Sequence, residues 1–399
     1  MGTRVEQVYP RLVELRRTLH QYPELAYKEE RTAQILLEEL KRLNIPFEYG
    51  GVGSGIIARI EGTGGPTVAL RAEMDGLPVP EKTGLGFASR IPGQMHACGH
   101  DGHMAMVMGA AMLLQEDLPA GKVVLIFEPA EEGGKGAEVM IKAGALDGVD
   151  VIFGGHMTRH YRVGEIMVAV GTVSAQADRL IIRVQGRGGH GARPHEGSDA
   201  VVASAALIMG LQALVSRETN PLDPTVVSIG TLRAGTVHNA IADEAVLDGT
   251  IRTTVPETRR RVIDGLVRMG TAMGTAYKTA IAVEVLDMYP PVVNTHRETA
   301  IARRAALEVV GERGLLVQEF PSMGAEDFSF YLAQVPGCYV RFGARRENWP
   351  NIPLHSPEFD FDEGMLKVGA AFFDRVVREA IYTLQQEART VQRTISSEL

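Results

Sequence analysis

Two cysteines, one tryptophan and a 6% share of aromatic residues are all this 399-residue sequence holds of those types. Cys98 and Cys338 are too few for a disulfide framework, and Cys98 sits inside a histidine cluster, so the sequence suits a reducing compartment. Positive charge is also short: 41 Lys and Arg against 49 Asp and Glu give a formal net charge of −8. Without a basic surface the chain is not expected to grip a nucleic-acid backbone. Long hydrophobic runs are missing too. No segment offers the roughly 18 uninterrupted apolar residues of a membrane span. The opening MGTRVEQVYPRLVELRR carries charge throughout, without the apolar stretch of a secretory signal, and Glu6 stands where a myristoylation signal wants Ser or Thr. These absences lead to the expectation of a cytoplasmic protein with neither membrane nor nucleic acid as partner.

What is present fits a folded globular chain: 45% of residues are hydrophobic and 23% charged, a balance able to build a sizeable core. The length suits two domains of roughly 100–200 residues each. Leu12, Leu15 and Leu19, then Ile35, Leu36 and Leu40, recur at helical spacing across residues 5–43, broken by a turn at Tyr22-Pro23. Short apolar runs bounded by Gly and Pro follow at Ile56–Ile60, Thr67–Leu70, Val123–Phe127 and Val151–Phe153 and read as buried strands. Helical stretches at His103–Leu114 and Gly136–Ala143 lie between them, so an α/β sheet is expected, with ligands gathered at strand ends. From Ala177 the order becomes strand, helix, two strands, helix and strand, a βαββαβ unit closed by Pro290-Pro291. The expected arrangement is a discontinuous catalytic domain, residues 1–175 and 289–399, carrying an inserted domain at 176–288.

The densest chemistry lies in HACGHDGH, His96 to His103, where a thiolate, three imidazoles and a carboxylate fall within one short segment. Thiolate and imidazole are ligands of a borderline metal such as Zn²⁺, and a Cys or carboxylate can bridge two ions. Taken singly, each residue is more often structural: a buried Cys is usually an inert small hydrophobe. Three other segments raise the case. Glu131 and Glu132 directly follow the strand VVLIFEPA; on a strand-end loop one can bind metal while its neighbour faces a water. His156 follows VIFGG, and His355 sits in a Pro-rich loop, PLHSPEFD. Cys98, His100, Glu132, His156 and His355 are more ligands than one catalytic zinc requires; two ions sharing a ligand would use them all.

The ordered segments RAEMDGLP, HACGHDGH, FEPAEEGGKGA, GRGGHGARPH, HNAIADEAVLDGTIRT, MGAEDFSFYL and LHSPEFDFDEG resemble the di-metal peptidase and amidohydrolase family of hippurate hydrolase, N-acyl-L-amino-acid amidohydrolase and the indole-acetyl-amino-acid hydrolases. The match runs from about Leu15 to Ala371. The resemblance implies a catalytic domain with two divalent ions, zinc first and manganese, cobalt or nickel as alternatives, and an inserted lid domain that often mediates dimerisation. It makes Cys98 the bridging ligand, with Glu132 and His355 on one ion and His100 and His156 on the other. Glu131 becomes the general base, His190 the group that reaches the scissile carbonyl, and Asn239 and Arg252 the binders of a substrate carboxylate. The implied substrate is a small N-acyl amino acid or related amide, and the implied assembly a homodimer or higher homo-oligomer.

Three positions depart from the family pattern. Glu73 replaces an Asp expected to orient a metal-ligating histidine. The stretch GGHMTRH lacks a proline after the ligand histidine, which leaves Arg159 and His160 to shape a pocket. Residues 239–243 read Asn-Ala-Ile-Ala-Asp, again without the usual proline. A dipeptidase or carboxypeptidase would use the same metals and base. The GGVGSG run at 50–55 could suggest dinucleotide binding, but a strand and not a helix follows it. An inactive binding scaffold is the third alternative, opposed by Glu131 and the complete ligand set.

Overall fold

The computed structural model describes residues 2–350 and 352–398. The chain is a mixed α/β protein whose contacts divide it into two compact units. The first comprises residues 1–171, 293–319 and 327–399, and the second residues 172–292 and 320–326.

An eight-stranded sheet forms the centre of the first unit. Its middle is four adjacent parallel strands, in the order Lys122–Glu128, Thr67–Glu73, Val151–Arg162 and Gly337–Arg345. Ile56–Glu61 and Phe47–Tyr49 extend one edge in antiparallel fashion; at the other, Ile166–Met167 runs antiparallel to Gly337–Arg345 and Leu315–Leu316 parallel to Ile166–Met167. Val123 to Phe127 are buried without alternation, as a strand covered on both faces must be. The helix His100–Glu116 is buried at every position from His100 to Leu114, so it has no solvent face to keep polar. Helices Gly2–Gln21 and Gly364–Glu398 pack against it. Arg16 and Asp101 join two of these helices inside the core, Nε to Oδ2 at 2.9 Å, and Arg16 Nη2 also reaches Asp360 Oδ1 at 2.9 Å.

The second unit has element order βαββαβ. Its antiparallel sheet runs Thr225–Ala234, Glu244–Thr253, Gln176–Gln185, Ala280–Tyr289. The helices Ala200–Ala213 and Pro256–Tyr277 supply Leu207, Leu211 and Leu266 to the core beneath Leu180, Ile182 and Leu247. Asp199 caps the first of them, accepting the Val201 and Val202 amides, as a side-chain oxygen at that position does. This helix continues as a π-helical turn to Glu218. Among the described residues, Ala200–Glu218 alone is long and apolar enough to cross a membrane, and only a third of its most apolar window is buried. Val201, Val202 and Met209 on it are exposed.

Candidate metal centre

Cys98 and His100 flank the start of the His100–Glu116 helix. Gly99 between them has φ +88°, and a Cβ there would approach Met157 Cγ to 2.8 Å. Only glycine meets both demands without strain. The His100 ring is set by Asp75: Nδ1 lies 2.9 Å from the Asp75 backbone oxygen and 3.2 Å from its Oδ1. With Nδ1–H given to oxygen, Nε2 is the bare, ligating nitrogen. It is buried and has no hydrogen-bond partner.

Glu131 and Glu132 follow the Lys122–Glu128 strand at a turn where Ala130 takes φ +57°. Two carboxylates hold this turn: Glu29 Oε1 accepts the Ala130 N–H at 2.9 Å, and Asp75 Oδ2 accepts the Glu132 N–H at 3.0 Å. Glu131 opens a one-turn helix, Glu131–Gly134, while Glu132 has ψ 72°, outside helical values. The adjacent carboxylates thus leave the chain from different backbone conformations.

His156 corrects one expectation. It does not follow its strand, which runs on through Val151–Arg162, so the histidine stands in the strand's middle. Gly154 and Gly155 do not end the strand; they make room, since Cβ atoms there would meet Phe328 Cε2 and Phe342 Cε2 at 2.7 Å. The Gly337–Arg345 strand keeps pairing with it past His156. His355 takes φ +64° and donates its backbone N–H to Ala97 O at 2.9 Å. Its Nε2 lies 3.0 Å from Glu132 Oε1, an oxygen that makes no directed hydrogen bond.

The five side chains converge. Ligand atoms of Cys98, His100 and His156 lie within 4.8 Å of one another, and so do those of Cys98, Glu132 and His355. Cys98 belongs to both groups. His100, Glu131 and Glu132 form a third such group. Cys98 Sγ is 3.2 Å from His156 Nε2. Burial pushes the Cys98 thiol well up, and Glu132 and Glu131 add to it; a cation is what reverses that and yields the thiolate. Burial, then His103 and Arg341, keep His156 neutral and able to ligate. Burial opposes the charge on Glu132, but His355 and His100 outweigh it and hold the carboxyl below its ordinary value. A soft thiolate, three imidazoles and a carboxylate, with buried His100 Nε2 and Glu132 Oε1 lacking directed partners, are a donor set suited to divalent cations.

Glu73 does not reach any of these five side chains in the way expected. Its Oε2 lies 2.8 Å from His103 Nδ1, and Asp75 performs the orienting of His100 instead. Behind Glu73, the fully buried Arg71 is surrounded by Glu73, Glu128 and Asp327, with Nε to Glu128 Oε2 at 2.8 Å and Nη2 to Asp327 Oδ1 at 2.6 Å. Asp75, His103 and Glu29 are site residues that the sequence pattern does not single out. Asp75 and His103 lie inside the motifs RAEMDGLP and HACGHDGH, so their signal was proximity to ligands; Glu29 is about a hundred residues from the turn it holds and carried no local sign.

His190, Asn239 and Arg252 belong to the second unit. The first two are neighbours: Gly189–His190 pairs with Ala240–Ile241, and the Gly191 N–H donates to Asn239 O at 2.7 Å. Both are exposed. Arg252 stands apart from them on the Glu244–Thr253 strand, paired with Val226 and Ala177. It is half-buried, its Nη1 has no hydrogen-bond partner, and burial lowers its pKa.

The family description that matches residues 69–379 is peptidase family M20/M25/M40. Thermostable carboxypeptidase 1 of Saccharolobus solfataricus is 39% identical over 92% of this chain and 94% of its own length. N-acetyl-L-cysteine deacetylase of Bacillus subtilis is 37% identical over 91% of this chain and 86% of its length. A crystal structure from Bacillus subtilis, described as a dinuclear metal-binding peptidase of the M20 family, matches with TM-score 0.82 at 33% identity, covering 95% of this chain and 99% of that one.

Proposed function

The chain belongs to peptidase family M20/M25/M40, whose members are metal-dependent hydrolases of amide bonds, and from that premise we propose that it cleaves N-acyl amino acids with Glu131 as general base. The observation that carries this reading is the pair of three-residue groups sharing Cys98, with Glu131 beside them. Cys98, His100 and His156 would hold one divalent ion, and Cys98, Glu132 and His355 the other, zinc first and manganese, cobalt or nickel by supply. The ions, when bound, supply Lewis acidity that acidifies a water and polarises the amide carbonyl.

The chain's own part is proton movement and orientation. Glu131, buried but for 8%, takes the proton of the attacking water and returns it to the leaving amine. Asp75 and Glu29 keep its turn in place through the two backbone amides already described. His190 is assigned to the developing oxyanion, and Asn239 and Arg252, the latter with an unpartnered guanidinium nitrogen, are assigned separately as binders of a substrate carboxylate. A peptide cut at its C-terminal residue offers the same amide and carboxylate, so carboxypeptidase action is the second reading, favoured by the carboxypeptidase relative. Two buried thiols that are not paired with each other suit the reducing cytoplasm. A homodimer through the second unit accounts for the Ala200–Glu218 helix, whose apolar side chains Val201, Val202 and Met209 are left outside the core.

The test is elemental analysis with chelation and metal add-back in an amidase assay on acetyl, benzoyl and indole-acetyl amino acids and on peptides. Two ions per chain, activity lost on chelation, and a fall of about 10²–10⁴-fold in kcat for Glu131→Gln with ions retained are expected. Full turnover by metal-free protein would overturn the mechanism, and cleavage of peptides alone would transfer the assignment to carboxypeptidase.

A further inference from the structure

The strand bearing His156 loses its neighbour just before that residue. Thr67–Glu73 pairs with it only as far as Leu70 opposite Phe153, so the backbone around His156 has no sheet partner on that side. His103 takes up the vacant position. Its Nε2 accepts the Met157 N–H at 3.0 Å, and its ring centroid is 4.6 Å from that of His156.

The hydrogen-bond inventory fixes the protons. A backbone amide only donates, so His103 Nε2 is bare and its proton is on Nδ1, where Glu73 Oε2 accepts it at 2.8 Å. Arg71 holds the other oxygen of Glu73, and Glu128 and Asp327 hold Arg71. At the next peptide group, beyond the Met157 Cα, His156 Nδ1 lies 2.6 Å from Met157 O. A carbonyl only accepts, so the proton of His156 is on Nδ1 and its Nε2 is bare, facing Cys98 Sγ. Met157 is therefore gripped at its N–H by one histidine and at its C=O by the other.

We propose that His103 is a positioning residue for His156: through the Met157 backbone, the buried line Arg71–Glu73–His103 fixes the place and tautomer of His156 and thereby sets the affinity of the ion His156 holds. This rests on the two-ion reading of the site. The longer side chain of Glu73 is accommodated because it addresses His103, one step removed from the ligands, so its extra methylene does not displace a ligating ring.

Two measurements test it. In protein labelled with ¹⁵N-histidine and stripped of metal, His103 and His156 are both expected as the Nδ1–H tautomer; an Nε2–H tautomer at His103 would overturn the assignment with no variant required. In chelator-competition titration with Zn²⁺, His103→Phe should weaken one of the two ions by about 10- to 100-fold and leave the other unchanged. His103→Gln, whose amide can both accept from Met157 and donate to Glu73, should recover most of that loss. Wild-type affinity for both ions in a folded His103→Phe protein would refute the role, as would equal weakening of both ions in the two variants, which marks a packing defect. If wild-type protein binds no ion, the two-ion reading itself fails, whatever the tautomers.

Discussion

Glu29 Oε1 accepts the amides of both Tyr27 and Ala130, while Oε2, equally buried, has no hydrogen-bond partner. Burial raises its pKa from 4.5 to about 7, Asp75 adds to the rise, and the accepted amides only partly offset it. The folded state thus binds this proton more tightly than the unfolded chain. The resulting stabilisation is complete below the unfolded value near 4.5 and is lost as pH climbs through about 7. In metal-free protein, Glu29→Gln keeps an acceptor for the two amides and removes the titration. It should be more stable than wild type at pH 8 by roughly 1–3 kcal/mol, an advantage that fades at pH 5. Urea unfolding at the two pH values checks this, and a difference independent of pH would assign the effect to something other than the carboxyl proton. Glu131 belongs at this scale too: the base role proposed for it, beside the ligand role proposed for Glu132, rests on two backbone conformations in one turn, which adjacency in the sequence does not reveal.

At the scale of elements, the helix expected at His103–Leu114 begins three residues earlier, at His100. Hydrophobic spacing marks where a helix is apolar, and His100, Asp101 and Gly102 are not; they are helical because Gly99 caps the turn and because Arg16 meets Asp101 inside the core. Burial works against ionised Asp101, but Arg16 and then His20 outweigh it and hold the carboxyl well below the usual range. Arg16→Met should cost about 3–5 kcal/mol at neutral pH by leaving a buried charge unpaired. Because the folded pKa is depressed, the contribution of this pair exists above the unfolded value and is lost as pH falls, so the penalty should shrink in acid. Thermal melting of wild type and variant from pH 7 to well below the unfolded value of 3.8, down to about pH 2, measures it; a penalty that stays constant to the acid end would contradict the ion-pair account.

For the whole molecule, the Ala200–Glu218 helix poses the question of assembly. A helix apolar on more than its core face needs a second covering, and Met209, 73% exposed, marks the uncovered side. Met209→Glu should shift the protein toward monomers in light scattering after size exclusion, with the far-UV spectrum unchanged; a wild-type protein that is monomeric at micromolar concentration would end the dimer proposal. The sequence by itself determined much here. Local composition marked the strands at Val123–Phe127 and Thr67–Leu70, the βαββαβ order, and the chemical character of Cys98, His100, Glu131, Glu132, His156 and His355, because burial periodicity and ligand chemistry are properties of single residues and short runs. Tertiary structure decided what depends on partners far along the chain: that His156 stands within a strand kept open by Gly154 and Gly155 against Phe328 and Phe342, that Asp75 serves His100 while Glu73 serves His103, and that Glu29 secures the Ala130 turn. Hydrogen bonds pair atoms by position in space, and nothing in a linear pattern encodes which distant carboxylate will arrive beside a given amide or ring.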